Sequence, residues 1–433
     1  MKIGLIGNMN NINFSLMRYF RDFGVDARLL LYSNDGTDTL QHFRPECDTW
    51  SMQRWSPYVE RTNIPNALVA ALDSPASWLV SGRSLLRRLL GLQSVWIPPV
   101  SRAQIRKAYS GYDRLIAAGI SPATLQRINR PLDLFYPYSL KVEYLEESAF
   151  AAQLQASRGQ ANALLRAIRR SQARGIARAR LTLVSDDGVT RDALNAVGAR
   201  SRVCAIPMVY TGDPMPEQPP TEALREIDRQ IAGASISILH HARLMWVNHG
   251  GFTEAQWRYE SKNNHWFFKA FAAVVHARPD LRFRLLIVEY GPDVNEAKRL
   301  VKDLGIADVV TWLPMMERRE LMWILSRVTI GVGQFYDFPK VLWGGTAWEV
   351  LAAGKPLIQG FAFGDGEFER LYGYPPPPML AVASESDVRA QLERVVADPR
   401  QLSDMGRRAR GWFDRYNGVG LARQWLDCLA LTA

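Results

Sequence analysis

Apolar runs alternate with amphipathic stretches along most of this chain. The first three predict a βαβ unit, with a strand from Ile3 to Gly7, a helix from Asn13 to Phe23 and a strand from Asp26 to Ser33. Ligands of parallel sheets lie beyond the carboxyl ends of the strands, so Gly7 and its polar turn are predicted at a cleft. A plain strand-to-helix turn is the equal alternative, because GNMNN lacks the G-x-G-x-x-G spacing of dinucleotide sites.

The same alternation resumes after residue 111 and predicts a largely parallel, doubly wound sheet. The predicted strands are Tyr112 to Gly119, Leu132 to Ser139, Leu181 to Ser185 and Val203 to Tyr210. The predicted helices are Pro122 to Asn129, Glu143 to Arg178 and one that ends at Val197. The following segment, IPMVYTGDPMPEQPP, is dense in proline and turn residues and predicts a linker.

A second alternating series follows the linker. Its predicted strands are Ser235 to Leu244, Leu281 to Glu289, Val309 to Leu313, Val328 to Gln334, Pro356 to Phe361 and Met379 to Ala383. Its predicted helices are Lys262 to Ala277, Val294 to Leu304, Glu317 to Arg327, Thr346 to Ala353, Glu367 to Leu371, Asp387 to Ala397, Gln401 to Tyr416 and Val419 to Leu431. Asp293 and Glu296 give a capping signal for the helix at Val294.

The fold class predicted from these patterns is α/β, with two doubly wound Rossmann-like domains that face each other across a cleft. The amino-terminal domain is expected at 1–210, a linker at 211–233 and the second domain at 234–415. A last helix at 416–433 is expected to pack back towards the first domain.

Composition narrows the function classes. The 433 residues are 47% hydrophobic and 22% charged, which is typical of a folded protein, and the net charge of +10 favours an acidic partner. Phosphorylated ligands and anionic lipid remain candidates, whereas no nucleic-acid-binding motif accompanies the charge, so we expect no nucleic acid partner. Cys47, Cys204 and Cys428 predict neither a disulfide framework nor a zinc site, which indicates a reducing compartment. Without a signal peptide or a spanning run, the chain is expected in the cytosol or at the inner face of a membrane.

The region from 50 to 107 is rich in tryptophan and arginine. These residues include Trp50, Trp55, Trp78, Trp96, Arg83, Arg87, Arg88, Arg102, Arg106 and Lys107. From Trp78 to Leu90 the pattern predicts a basic amphipathic helix, which either lies in a lipid headgroup layer or packs on its own domain.

The stretch GGTAWEVLAAGKPLI predicts a phosphate site. Gly344 and Gly345 lead into a short helix at Thr346, so backbone N–H groups and the positive helix end can face an anion. Glu349 lies one turn inside, where its carboxylate can meet a ribose hydroxyl. The alternative is a capping box, in which Glu349 merely reaches back to the start of the helix beside Thr346.

Two cationic residues add to this anion site. Arg243 follows the predicted strand that ends in His240 and His241, and Lys262 opens the next helix. A guanidinium and an ammonium there can clamp a diphosphate and neutralise the charge of a leaving group. The chain has no Asp-x-Asp pair, and its six histidines show no ligand spacing, so we predict no metal. It also lacks a P-loop motif and a G-x-S-x-G nucleophile motif.

The chain resembles the retaining nucleotide-sugar glycosyltransferases of the GT-B fold, and most of all their family 4. The segments that carry the resemblance are ILHHARL, KNNHWFFKAFAAV, RFRLLIVEYGP, VVTWLPMM and GGTAWEVLAAGKPLI, together with IPMVYT before the hinge. It implies that Arg243 and Lys262 bind the donor diphosphate, that Glu349 binds the ribose, and that Gly344, Gly345 and Thr346 meet the phosphates. It further implies that the segment from Trp312 to Met315 lines the base, and that Leu313 and Met315 are its donor-binding residues. Gly7 is implied to lie near donor and acceptor.

The chain departs from the family pattern at two places. The first glutamate of the family's pair falls on Val341 here, and Asp337 takes its place at the sugar ring if the residues PKVL are an insertion. A segment with Trp246, His249, Gly250, Gly251 and Trp257 separates Arg243 from Lys262, where it can form a lid or a specificity element.

The resemblance implies a sugar transfer, with retention, from a UDP- or GDP-sugar to a glycan or lipid-linked acceptor, without a cofactor. The alternatives are an inverting transferase or a nucleotide-sugar epimerase of the same fold. A non-catalytic nucleotide-sugar-binding protein is the alternative of another class.

Overall fold

A computed structural model describes residues 1–34, 44–72, 99–138, 158–184, 188–339, 344–398 and 400–430, with positions 78, 81, 82, 89, 142 and 145. The predicted helix from Trp78 to Leu90 and the position Val341 lie largely or wholly outside the described residues. The chain divides into two compact units. Unit 1 is Met1–Glu46, Ser51–Pro207 and Leu421–Ala433, and unit 2 is Cys47–Trp50 and Met208–Gly420.

Each unit is built on a parallel sheet. The strands of unit 1 are β1 Lys2–Ile6, β2 Asp26–Leu31, β3 Val59–Arg61, β4 Arg114–Ala117, β5 Leu134–Phe135, β6 Leu181–Val184 and β7 Ser201–Val203. The strands of unit 2 are β8 Ile236–His240, β9 Phe283–Val288, β10 Val310–Leu313, β11 Ile330–Val332, β12 Leu357–Gly360 and β13 Leu380–Val382.

The helices connect these strands. The helices of unit 1 are α1 Ile12–Asp22, α2 Met52–Trp55, α3 Arg102–Tyr109, α4 Ser121–Gln126, α5 Arg158–Ala177, α6 Gly188–Ala196 and α16 Val419–Ala430. The helices of unit 2 are α7 Glu222–Ala232, α8 Glu254–Glu260, α9 Asn264–Ala277, α10 Val294–Asp303, α11 Arg318–Arg327, α12 Gly345–Ala352, α13 Glu367–Tyr372, α14 Glu385–Ala397 and α15 Arg400–Tyr416. None of these described helices has the length and apolar content that a bilayer-spanning helix requires.

Within the described residues, both sheets follow the doubly wound order. The strands of unit 1 run β3-β2-β1-β4-β5-β6-β7, and those of unit 2 run β10-β9-β8-β11-β12-β13. The first strand of each unit therefore lies beside the fourth, and the chain moves outward on opposite sides of that pair. Ligands of such sheets bind beyond the carboxyl ends of this central pair. The α/β prediction of two doubly wound sheets is confirmed.

The central strands read as continuous apolar runs because helices cover both faces of each sheet. All five residues of β8 are buried. Phenylalanines of α9 pack on one face of the unit 2 sheet, with Phe267 stacked on Phe271 at 5.8 Å between ring centroids. Helices α11 and α12 pack on the other face, around the buried Trp323.

Three local predictions were wrong. The strand predicted from Val203 to Tyr210 ends at Val203, and the residues after it run without strand pairing. Part of the expected linker forms α7, whose Leu224, Ile227 and Ile231 are buried at helical spacing behind a Thr221 cap. Asp293 stands at the start of α10, but its side chain makes no capping hydrogen bond.

Candidate functional site

The carboxyl ends of the unit 2 strands meet at one edge of the sheet, which we call the donor edge. Arg243 comes three residues after β8, Tyr290 two residues after β9, and Gln334 two residues after β11. Because β8 and β11 are the neighbouring first and fourth strands, this edge includes the switch point of the sheet.

Lys262 is held between the segments that follow β8 and β11. Its backbone N–H donates to the carbonyl of Met245 at 2.7 Å, and its carbonyl accepts from Phe335 N–H at 3.1 Å. Its ammonium lies 5.6 Å from the centre of the Tyr336 ring. The next residue, Asn263, adopts φ +45°, a left-handed conformation that asparagine tolerates better than most residues. The structure therefore places Lys262 at the donor edge.

Arg243 lies exposed at the same edge, on the β9 side. Its Nη2 donates to the Tyr290 hydroxyl at 3.0 Å, and its guanidinium stands 5.2 Å from the centre of that ring. A guanidinium resting on an aromatic ring keeps donor groups for an anion while losing little rotamer freedom.

The amino-terminal end of α12 opens at the same edge. Gly344 is its N-cap without a side-chain capping bond, and it packs so closely on Gln334 that a Cβ at Gly344 would lie 2.3 Å from the Gln334 amide nitrogen. The Thr346 hydroxyl oxygen is buried and has no hydrogen-bond partner among the described residues. Unused N–H groups and a hydroxyl at a helix start are suited to an anion.

Glu349 does not form the capping box that was the alternative prediction. It is 7% exposed and faces into unit 2, where its Oε2 lies 3.0 Å from His241 Nε2 and its Oε1 accepts from Arg318 Nε at 2.8 Å. Burial alone would raise the pKa of Glu349, but the hydrogen bond from His241 and the charge of Arg318 outweigh it and lower that pKa to about 2. The carboxylate is therefore ionised at neutral pH.

Arg318 links Glu349 to a second carboxylate, that of Asp48. Its Nη1 donates to Asp48 Oδ1 at 2.7 Å, so the guanidinium is shared between two buried carboxylates. Burial would lower the pKa of Arg318, and the charges of Asp48 and Glu349 reverse this and raise it. We call His241, Glu349, Arg318 and Asp48 the Glu349 network. It fixes the carboxylate orientation because both of its oxygens are engaged.

His240 lies beside this network as a neutral core residue. Its ring is fully buried between Phe267 and Phe268, and its Nε2 lies 3.3 Å from the Asn264 amide, which donates to it. Burial and the adjacent His241 lower the pKa of His240 to about 3. Its role is therefore packing, whereas His241 contacts a predicted site residue.

The other site residues predicted in unit 2 also follow strand ends. Leu313 ends β10 and is buried, whereas Met315 is 58% exposed just beyond it, and Trp312 lies below the Lys298 ammonium at 5.4 Å. Asp337 follows Tyr336 and accepts a hydrogen bond from Arg258 of α8 at 3.2 Å. The roles of these residues at base and sugar stay predictions.

The segment of residues 246–261, which we call the inserted segment, is anchored at the same edge. The Asp293 carboxylate, with no exposed surface, accepts from the backbone N–H groups of Trp246 at 2.5 Å and Val247 at 2.8 Å. It also lies 2.5 Å from His249 Nε2. Asp293, which the sequence indicated as a helix cap, thus holds the inserted segment.

Gly7 lies in unit 1 and is described there by itself. It follows β1 at the switch point of the unit 1 sheet and lines a small, open pocket. The other lining residues are uncharged: Ile6, Asn8, Met9, Tyr32, Asn66, Ala118, Gly119, Tyr136 and Tyr138.

Sequence reasoning missed Arg318, Asp48, His249 and Asp293 as parts of the site. Arg318 and Asp48 gave no signal, because they are 31 and 301 residues from Glu349 and neither sits in a motif. The sequence indicated His249 as part of the inserted segment, but it gave no sign that His249 pairs with Asp293, which is 44 residues away.

Comparison with known proteins gives structural matches only. No known protein-family profile matches the chain, and no curated protein matches it in sequence. Anabaena HepE in complex with UDP-glucose matches with a TM-score of 0.54 and 15% identity over 99% of each chain. Sucrose-phosphate synthase from Thermosynechococcus elongatus matches with a TM-score of 0.53 and 15% identity, over 100% of this chain and 98% of that one.

A glycosyltransferase from Rickettsia africae matches with a TM-score of 0.55 and 12% identity, over 100% of this chain and 98% of that one. At such identities the likeness shows the fold alone. The chain has the two-sheet GT-B fold, and its resemblance in architecture to glycosyltransferases that use nucleotide sugars is confirmed.

Proposed function

We propose that the protein is a glycosyltransferase that moves a sugar from a nucleoside diphosphate sugar to a glycan or lipid-linked acceptor, with retention of configuration. The observation that supports the proposal is that the segments carrying Arg243 and Lys262 and the start of α12 all follow the carboxyl edge of one parallel sheet. The net charge of +10 fits action in the cytosol, at the inner face of a membrane where the acceptor is lipid-linked.

These groups fit a diphosphate leaving group. As the bond between the anomeric carbon and the phosphate oxygen breaks, negative charge grows on the diphosphate. Arg243 and Lys262 carry fixed positive charge, and the first N–H groups of α12 add the positive end of the helix dipole. Because they stand in place before the reaction, little reorganisation is needed when the charge develops.

Glu349 fits a ribose even though both its oxygens are engaged. An ionised carboxylate offers about four acceptor positions, and His241 and Arg318 use one on each oxygen. A ribose hydroxyl can therefore donate to the remaining lone pairs. The base would lie beside Leu313 and Met315 and the sugar beside Asp337, in agreement with the family resemblance.

The comparisons support the class of donor. The HepE structure holds UDP-glucose on the same fold, and unit 2 presents its cationic residues where a parallel sheet binds ligands. Gly7 and the pocket around it would take part in substrate binding by unit 1.

A thermal-shift panel of nucleoside diphosphates and their sugars tests the proposal. One nucleotide should raise the melting temperature, since a ligand at 100 times its Kd adds about 2.7 kcal/mol of stability. Arg243→Ala and Lys262→Ala should weaken that binding at least tenfold. Arg278→Ala and Lys269→Ala are the controls, because these exposed residues of unit 2 pair with Asp280 and Glu385 instead. No shift with any nucleotide would overturn the proposal.

A second assay separates catalysis from binding alone. Slow release of UDP or GDP from the bound sugar donor, abolished in Arg243→Ala, contradicts a non-catalytic protein. The anomer formed with an acceptor separates a retaining from an inverting enzyme, and a changed sugar without transfer indicates an epimerase.

A further inference from the structure

His249 forms a carboxylate–imidazole pair with a buried aspartate. Its Nε2 lies 2.5 Å from Asp293 Oδ1, and the His249 side chain is 52% exposed while that of Asp293 is fully buried. The other ring nitrogen, Nδ1, has no partner among the described residues and is available to a ligand. A buried carboxylate that holds one imidazole nitrogen fixes the tautomer and the direction of the other.

The pair is not needed to hold the inserted segment. Asp293 already accepts from the backbone N–H groups of Trp246 and Val247. The base of the segment is also closed, because Lys262 N–H donates to Met245 and Met245 N–H donates to Asn264 Oδ1 at 2.9 Å. The inserted segment is therefore anchored by hydrogen bonds that do not involve the imidazole.

The segment that carries Asp293 is hydrogen-bonded to the residue that follows Arg243. Leu244 N–H donates to the Tyr290 carbonyl at 2.7 Å, and Asp293 N–H donates to the Leu244 carbonyl at 3.2 Å. Gly291 permits this contact, with φ +123° and a Cβ position that would lie 2.3 Å from the Leu244 carbonyl oxygen. Arg243 binds the Tyr290 hydroxyl and His249 binds Asp293, and the Cα atoms of Tyr290 and Asp293 are at most about 11 Å apart by chain reach.

We propose that His249, oriented by Asp293, is the acid–base residue of the transfer reaction, a role that rests on the proposed function. The acceptor oxygen bonds to the anomeric carbon on the same face from which the diphosphate departs, as retention requires, and Nδ1 takes the proton of the acceptor hydroxyl. The bond from the anomeric carbon to the phosphate oxygen breaks at the same time, and its electron pair leaves with the nucleoside diphosphate. The imidazolium then returns the proton to solvent.

The charged groups around the imidazole suit this role. Asp293 stabilises the imidazolium that forms. The hydroxyl of Tyr290 is engaged by Arg243.

The test uses the full-length protein with UDP-glucose, or with GDP-mannose where only guanosine diphosphate shifts the melting temperature. His249→Gln keeps an N–H donor for Asp293 but has no basic nitrogen that could accept a proton from the acceptor. It should lower the rate of nucleotide release to water at least 100-fold, in the range of acid–base catalysis, and remove the acid limb of kcat/KM against pH. Nucleotide Kd should stay within twofold.

Two further variants make the result specific. Asp293→Asn should lower kcat more than it changes KM, because the imidazole loses its orientation. His276→Gln is the matched control, since His276 is an exposed histidine of unit 2 whose Nε2 faces the Leu304 carbonyl, and it should change neither rate nor pH profile.

A His249→Gln variant with the wild-type rate and acid limb overturns the role while the proposed function stands. A wild type that binds no nucleotide overturns both. Where the wild type binds nucleotide without releasing it, imidazole NMR decides. The imidazole resonances that the wild type shows and His249→Gln lacks belong to His249. They should shift when the donor is added, and the role is overturned if they do not shift.

Discussion

At the scale of single residues, the donor edge combines exposed cations with a buried, ordered carboxylate. Exposed Arg243 can meet a diphosphate without losing an existing ion pair, whereas Glu349 is ionised inside unit 2 only because His241 and Arg318 compensate its burial. A buried ion pair is weak evidence of net stability, but removal of one partner leaves an uncompensated charge. The Glu349 network therefore makes the orientation of one carboxylate costly to change.

Glu349→Gln tests this dependence. The substitution keeps the volume but removes the negative charge that Arg318 Nε faces, so unit 2 should lose about 3 kcal/mol of unfolding free energy. The measurement is urea denaturation at pH 7. Glu393→Gln is the control, since Glu393 pairs with Arg389 across exposed surface and should change stability by less than about 1 kcal/mol. Equal losses in both variants would contradict a special role of burial.

His240 predicts the acid sensitivity of unit 2. Its pKa is lowered to about 3 by burial and by His241, against 6.5 for the ordinary imidazole. In the unfolded chain, His240 therefore binds a proton below about pH 6.5, whereas in the folded chain it binds one only below about pH 3. Stability from this residue is complete above pH 6.5 and falls as the pH falls through that window, by roughly 2 kcal/mol between pH 7 and pH 5.

His240→Gln keeps an acceptor for Asn264 and should flatten that loss. The unfolding free energies of wild type and variant, measured at pH 7 and pH 5, should therefore differ in slope by about 2 kcal/mol. The Glu349 contribution lies below pH 4.5, where the unfolded carboxylate begins to protonate, and stays outside the measurement. Parallel pH curves would show that His240 is not the sensitive group.

At the scale of elements, the sequence predicted most of the alternating order because buried parallel strands and amphipathic helices leave strong local patterns. The prediction of α9 at Lys262 to Ala277 differs by two residues from the observed Asn264–Ala277. Helices α7 and α8 were missed, although Thr221 and Thr253 cap them as local signals would suggest. The missed signals were short and lay within proline-rich or glycine-rich surroundings.

The site was predicted less completely than the elements. Gly344, Thr346 and Glu349 belong to one local motif, and Arg243 and Lys262 follow strand ends, so their positions could be inferred. The capping-box alternative for Glu349 and the cap at Asp293 were wrong for one physical reason. A carboxylate near a helix start can serve the helix or a distant donor, and only the fold decides which donor is within reach.

The contact between α12 and α15 gives a prediction at this scale. Gly406 lies where a Cβ would stand 2.3 Å from the Gly354 carbonyl oxygen, just after α12, whereas Gly411 of the same helix faces open space. Gly411→Ala should stabilise unit 2 by up to about 1 kcal/mol through helix propensity. Gly406→Ala should lose about 1–3 kcal/mol, because α12 must shift. Denaturation of both variants checks the pair, and a gain in Gly406→Ala would contradict the packing.

At the scale of the whole molecule, the two units do not follow chain order. Residues Cys47–Trp50 belong to unit 2 although their neighbours in sequence belong to unit 1, and α16 from Leu421 onward belongs to unit 1. Thr49 donates to Asp213 at 2.6 Å, and Trp50 lies under the Arg319 guanidinium. No sequence pattern marks such a short excursion, because four residues are too few for a periodicity.

Asp48→Asn tests whether this excursion supports the donor edge. The change removes one of the two carboxylates around Arg318, so α11 and α12 should open locally more often. Amide hydrogen exchange should therefore become faster in these two helices, some 270 to 300 residues along the chain from the substitution, while the amides of β1 and β2 keep their protection. Glu46→Gln is the control, because Glu46 pairs with Arg44 on exposed surface in unit 1. Faster exchange confined to unit 1, or equal in both variants, would show that the Glu349 network is complete without Asp48.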